Sequence, residues 1–281
     1  MNISFKHIAA IWLLCCGQSY AQDSLNRTTL ASDAKTGKVT PLGSVELAKE
    51  LANPIANLIS VPFQYNYYRG IGKNQVGSEQ TLVFQPVIPI DLGGGDTFIV
   101  RPIVTGAREI NVNGFSAYGM SNVALEAFYA PKTGSSWIWG VGPYVVSPAG
   151  NSGYFGSQQT GAGVTAVALN RDGPWTYGML AFQSWAVAGN RAYGTQNNLY
   201  GQPFAAYTNS AAWTFTLQAQ AEFNYDNRRT SNPLYFGISK LEVIGKQPIQ
   251  FGFGPQYFVS SVPGGPSGWG GRAVITFVFP E

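Results

Sequence analysis

From Trp213 to Tyr225 the chain alternates without exception between two chemistries. Trp213, Phe215, Leu217, Ala219, Ala221, Phe223 and Tyr225 fall on one side, and Thr214, Thr216, Gln218, Gln220, Glu222 and Asn224 on the other. Side chains of an extended chain point to opposite faces with period two, so this stretch is a strand with one apolar and one polar face. Residues 248–259 repeat the pattern: Ile249, Phe251, Phe253, Tyr257 and Val259 oppose Gln250, Gly252, Gly254 and Gln256, and only Phe258 interrupts the polar side. The chain ends on a third such segment, with Gly271, Ala273, Ile275, Phe277 and Phe279 against Gly270, Arg272, Val274, Thr276 and Val278. An apolar outside against a polar inside is what a strand needs when it crosses a bilayer as part of a closed barrel.

Composition agrees with that reading. Charged residues make up 11% of the chain, against about 25% in ordinary soluble domains, while aromatic residues reach 14% and glycines number 34. Mean hydropathy is nevertheless −0.02, and beyond the N-terminal segment no apolar run approaches the roughly 20 residues of a membrane helix. Few charges at near-neutral hydropathy are what alternation produces. Twelve strands can be marked near residues 58–68, 80–90, 97–105, 117–130, 136–147, 160–169, 175–187, 199–208, 212–225, 234–244, 248–259 and 269–279, bounded by Gly, Pro, Asn, Asp and Ser clusters. Short links at 91–96, 131–135, 170–174, 209–211 and 245–247 alternate with longer ones at 69–79, 106–116, 148–159, 188–198, 226–233 and 260–268. The fold class expected is therefore all-β, a transmembrane antiparallel barrel of about 12 strands, with both termini periplasmic and no open sheet edge in lipid.

The N-terminus has a different character. Lys6, the apolar stretch from Ile8 to Cys16 and the small residues Ser19 and Ala21 have the order of an export signal cleaved after Ala21. Cys15, Cys16 and the single histidine, His7, all fall inside it. Its loss leaves no thiol and no imidazole, which excludes disulfides, Cys-based metal sites and Ser-His hydrolysis. Net charge is +3, and losing Lys6 lowers it to +2, too little to suggest a nucleic-acid partner. Residues 22–57 follow as a periplasmic lead: polar up to Thr40, then a short helix at 44–52 capped by Ser44 and stopped by Pro54. The barrel is expected to occupy residues 58–281.

Three stretches carry a resemblance. The run LANPIANLISVPFQ from Leu51 to Gln64, the later QPVIP from Gln85 to Pro89 and the closing FVFP resemble a family of bacterial outer-membrane proteins. That family is variously labelled transporter, neuromedin U by mis-transfer, or MetA pathway of phenol degradation. The aromatic last strand is similar to the closing strand of outer-membrane barrels, which implies recognition by the barrel-assembly machinery. The resemblance implies an outer-membrane location in a Gram-negative envelope, lipid as surroundings and a small-molecule cargo.

Strand parity places Arg101, Asn122, Glu126, Gln218, Gln220, Glu222, Lys240, Glu242, Gln250, Gln256 and Arg272 inside. Of these, Arg101, Glu126, Glu222, Lys240, Glu242 and Arg272 are the candidates for a constriction, either selecting solute or bracing a closed interior through ion pairs. Phe128, Ile138, Tyr144, Leu180 and Phe182 would add a partly apolar lining suited to hydrophobic or aromatic solutes. Glycine runs such as Gly93 to Gly95 lie between strands and read as turns, not phosphate loops. No catalytic group, cofactor or metal is expected. Passive passage of small molecules is the leading function, with a closed structural or surface-interaction barrel as the alternative and a membrane-embedded enzyme third.

Overall fold

A computed structural model describes residues 32–33, 38–39, 41–149, 154–193 and 195–279. The expected export segment, residues 1–21, and its expected cleavage point lie outside the described residues. Twelve staves form one antiparallel barrel among them. They are β1 (Ile59–Ile71), β2 (Gly77–Phe84 and Ile88–Gly93), β3 (Asp96–Val112), β4 (Phe115–Met120 and Val123–Ala130), β5 (Trp137–Ser147) and β6 (Gln158–Asp172). The second half comprises β7 (Trp175–Asn190), β8 (Asn198–Thr208), β9 (Trp213–Ala219 and Ala221–Asn224), β10 (Arg229–Ile244), β11 (Gln247–Ser260) and β12 (Gly268–Phe279). Each stave pairs with its neighbours in sequence, and β12 closes on β1 from Gly271 opposite Tyr67 to Phe279 opposite Ile59. Closure pairs every long edge, the condition for a sheet to stand in lipid.

Register fixes which side chains face out. On β9, Thr214 is buried while its neighbours Trp213, Phe215 and Leu217 are exposed, the reverse of a soluble strand. Large aromatic residues gather on the outer face at both ends. Trp137 meets Tyr177, and Trp175 meets Tyr207, at the end where β1 starts and β12 finishes, the termini end; Tyr257 meets Trp269 at the opposite end. Amphipathic rings in two belts with aliphatic residues between them are the outer surface of a membrane barrel.

Connections at the termini end are short, as the turn residues require. At the opposite end the strands run further than their alternation suggests. The expected long link at 106–116 is instead a hairpin turned at Asn113 and Gly114, with φ of 52° and 85°. An Asn-Gly pair is the strongest short hairpin signal, because both positions need φ above zero.

The helix α1 (Pro41–Glu50) starts three residues before the expected cap, so Ser44 lies inside it. Proline is tolerated in a first helical turn, where its missing N–H has no partner to lose. Asn53 and Pro54 follow the stop; the Asn53 side chain accepts a hydrogen bond from the Ile55 amide at 2.9 Å. A two-residue ladder, Ser32–Asp33 with Lys38–Val39, precedes the helix within the polar lead.

α1 occupies part of one mouth. Leu47 and Ala48 pack with Ala56, Leu58, Ala212, Leu241 and Val278, burying the apolar stripe against the inner rim of the barrel. Ile55 continues inward to a second cluster with Val87, Ile99, Phe128, Leu169 and Leu180. A fully buried aliphatic side chain contributes about 1.5–3 kcal/mol, so Leu47, Ile55 and Leu58 hold this segment firmly in the termini end of the lumen. Arg171 on β6 adds a polar tether, donating from Nη1 to Glu50 Oε1 at 2.6 Å.

Candidate functional site

Above the inserted segment the lumen narrows to a layer of charged and aromatic groups. Arg101 on β3 and Glu126 on β4 are direct register partners. The arginine Nη1 donates to Glu126 Oε2 at 2.9 Å, and its Nη2 donates to Gln85 Oε1 on β2 at 3.1 Å. Glu126 is only 2% exposed, so this carboxylate depends on Arg101 for its charge compensation. One guanidinium thus ties three staves together from inside.

Arg272 on β12 is held otherwise. Its Nε donates to Asn66 Oδ1 at 2.9 Å, Asn66 donates on to Thr81, and the guanidinium lies 4.5 Å from the centre of the Tyr235 ring. Planarity suits arginine to a ring face and a fixed donor at once.

Between the two arginines, the wall carries three stacked rings. Tyr144 and Phe182 lie 4.1 Å apart at 9°, and Phe182 and Tyr200 4.8 Å apart at 14°. Gly163 stands opposite Tyr144 on the intervening strand β6. A Cβ there would meet the Gln183 carbonyl oxygen at 1.8 Å, so only glycine lets the strands and their rings come this close. Register places Glu126 beside Tyr144 and Glu222 beside Tyr200, which brackets the stack with carboxylates.

Two cavities flank this layer. The inner one, ≈ 230 Å³, lies between the inserted segment and the layer, bounded by Pro54 and Ala56 below and by Gln85, Arg101, Gln202 and Gln250 on the walls. The outer one, ≈ 440 Å³, opens among the long connections and is lined by Tyr154, Gln196, Asn198, Glu222 and Asn224. Glu222 is exposed to it and has no hydrogen-bond or ion-pair partner among the described residues. Beside this mouth, the Tyr154 hydroxyl donates to Glu109 Oε2 at 2.6 Å. That hydrogen bond, with some burial, pushes the Tyr154 hydroxyl up to about 12.

Of the six constriction candidates, the structure brings Arg101, Glu126 and Arg272 to the layer and Glu222 to its outer side. Lys240 and Glu242 are a correction. Lys240 is the register partner of outward-facing Trp213 and Phe251, its ammonium lies 5.6 Å from the Trp213 ring centre, and it donates to the Ala211 carbonyl at the rim. Glu242, two residues on, shares that outer face with a side chain 57% exposed. Counting along β10 alone misleads because both its faces carry apolar groups; the outward partners Trp213 and Phe251 settle the side. Sequence reasoning also missed Asn66, the register partner of Arg272, and Tyr235 and Gln85, which meet Arg272 and Arg101 through side chains alone and carry no signal in the sequence.

No family model matches the chain, and no curated protein does. Among solved structures it is similar to an outer-membrane channel from Pseudomonas putida, with a TM-score of 0.63 at 12% identity over 79% of this chain and 95% of that one. It is also similar to outer-membrane phospholipase A from Escherichia coli, with a TM-score of 0.44 at 12% identity over 86% of this chain and 99% of that one. The latter score is too low to bear on function. At these identities the likeness concerns the fold: a closed twelve-stranded antiparallel barrel of the outer-membrane type.

Proposed function

We propose that this chain is an outer-membrane channel through which small molecules pass passively, with both termini in the periplasm and Gly268–Phe279 as the strand recognised during assembly. The observation that supports it most is the lumen itself: two cavities in series, separated by the Arg101, Glu126 and Arg272 layer and its stacked rings. Fixed charges beside aromatic rings discriminate by charge, hydrogen bonding and planarity together. Four glutamines, Gln85, Gln202, Gln218 and Gln250, line the inner cavity beside Pro62, Phe204 and Val274. Such a lining favours solutes with one ring and one neutral polar group. Membership of the family resembled by residues 51–64 and 85–89 is part of the same proposal, as is a passive, non-enzymatic role.

The insertion of α1 and Ile55 into the termini-end mouth favours a second reading, a closed barrel that serves structure or surface interaction. Swelling of liposomes carrying the refolded protein separates the two. Swelling in benzyl alcohol or small neutral sugars, graded by solute size, is the expected result. Liposomes that stay inert to every solute, with the protein heat-modifiable and therefore folded, would favour the closed barrel.

A further inference from the structure

The inner cavity has its axial exit narrowed by the inserted segment, and the wall beside it is incomplete. Ladder pairing between β2 and β3 runs to Phe84 opposite Val104, stops, and resumes at Ile88 opposite Val100. Three residues on each strand are left out of register pairing, a gap of about 10 Å at roughly 3.3 Å per residue. Pro86 and Pro102 face each other across it. Neither has an N–H, so the gap leaves no donor at these positions to stand unpaired in lipid, and the interruption is tolerated where other residues would make it costly. On the β1 side, Pro62 accepts only a long hydrogen bond from the Gln85 amide, 3.5 Å.

Alternation turns Pro86 and Pro102 away from the cavity that Gln85, Val87 and Arg101 line; Pro86 is buried there and Pro102 half-buried, so the gap stands closed in this structure. The gap is bridged from within by one side chain: Arg101 reaches Gln85 on β2 while holding Glu126 on β4. A side-chain staple can let go without breaking a ladder, since a single hydrogen bond contributes only about 0.5–1.5 kcal/mol net, or roughly twice that from a charged donor.

From this geometry we infer a lateral window between β2 and β3, framed by Pro86 and Pro102 and latched by the Arg101 to Gln85 hydrogen bond. It lets solutes with an apolar body pass between the inner cavity and the bilayer. The window rests on the channel reading for delivery into the lumen, but uses a different exit. Its solutes are neutral one-ring or two-ring compounds that partition into lipid; ions and sugars have no use for it.

The test compares two routes in one protein. With Cys15 and Cys16 replaced by alanine, Ile88→Cys and Val100→Cys form a register pair that a disulfide can lock at the edge of the gap. Ala205→Cys with Leu217→Cys locks an unbroken ladder as control. A second variant, Pro86→Val with Pro102→Val, restores the missing donors and lets the ladder close. Uptake of N-phenyl-1-naphthylamine is followed by fluorescence in intact cells, and ion conductance in planar bilayers, each before and after reduction. The expected result is uptake slowed by about tenfold in the locked Ile88/Val100 pair, a barrier increase of about 1.4 kcal/mol. Reduction restores the rate, the valine variant behaves like the locked one, the control pair is unaffected, and conductance is unchanged throughout. Normal uptake in both closed-window variants, or uptake no faster than in cells without the protein, overturns the window while conductance leaves the channel standing. A parallel loss of uptake and conductance also overturns it, since one axial route would then serve both; absence of both in wild-type protein removes the channel reading as well.

Discussion

Two base-and-carboxylate pairs on this barrel have the same chemistry and opposite surroundings. Arg101 and Glu126 face the lumen at 2.9 Å with side chains 14% and 2% exposed, whereas Lys240 and Glu242 stand 3.6 Å apart on the outer rim with side chains 25% and 57% exposed. The first pair sits where a lone charge is expensive and where both terminal nitrogens of the arginine have an acceptor. The second sits where water and headgroups screen it, and where lysine gains as much from the Trp213 ring. Residue type did not decide between these fates; the register partners did.

Breaking the inner pair should have the largest effect. Arg101→Ala strands Glu126 and unlatches Gln85, and loss of one partner of a buried pair costs about 3–5 kcal/mol. Urea unfolding in lipid, read by the heat-shifted gel band, should show it. Replacing both partners, Arg101→Met with Glu126→Leu, should recover most of that stability while still changing conductance. A double variant as unstable as Arg101→Ala would mean that the pair acts through geometry and not through charge compensation.

Next in size is the inserted segment. Leu47→Ala removes a side chain 1% exposed and should cost about 2–4 kcal/mol, felt at the docking of α1. Faster proteolysis at residues 41–58 and larger or more frequent conductance steps are expected, with the barrel's own unfolding midpoint little changed.

The outer pair should matter little. Lys240→Ala should change stability by about 1 kcal/mol or less and leave conductance untouched. A conductance change as large as that of Arg101→Ala would return Lys240 to the lumen and undo the assignment made from register.

Smallest is the Tyr154 hook at the outer mouth. Its hydroxyl donates to Glu109 only while protonated, and its folded value lies above the ordinary 10.0. Any stabilisation is therefore fully present below about 10 and lost as pH rises through about 12. Amide exchange of the segment around Tyr154 should quicken over that window in wild type and show no such step in Tyr154→Phe.

These contrasts also mark how far the chain could be read unaided. Alternation such as that from Trp213 to Tyr225 locates the staves whose lumen face is polar; where the inward face is apolar, as at Phe128, Leu169 and Leu180, the turn residues at both ends locate them instead. Among the constriction candidates, parity failed on β10, where Tyr235 and Leu241 inside match Phe236 and Ile238 outside in hydrophobicity. The Asn113 and Gly114 hairpin was legible, but the polar residues around it gave it the look of a long link. The ring stack, the Arg272 cradle and the ladder gap at Pro86 and Pro102 depend on which strands are neighbours and in what register. That information is not local, so no window of sequence contains it.

Single-channel recording in planar bilayers, comparing wild type with the Arg101→Met, Glu126→Leu double variant, bears most directly on the claim that the Arg101 layer lies in a conduction path. Discrete steps in wild type, altered in size or ion preference in the folded double variant, are predicted. Folded wild-type protein that gives no steps, or steps identical in the two proteins, would contradict it.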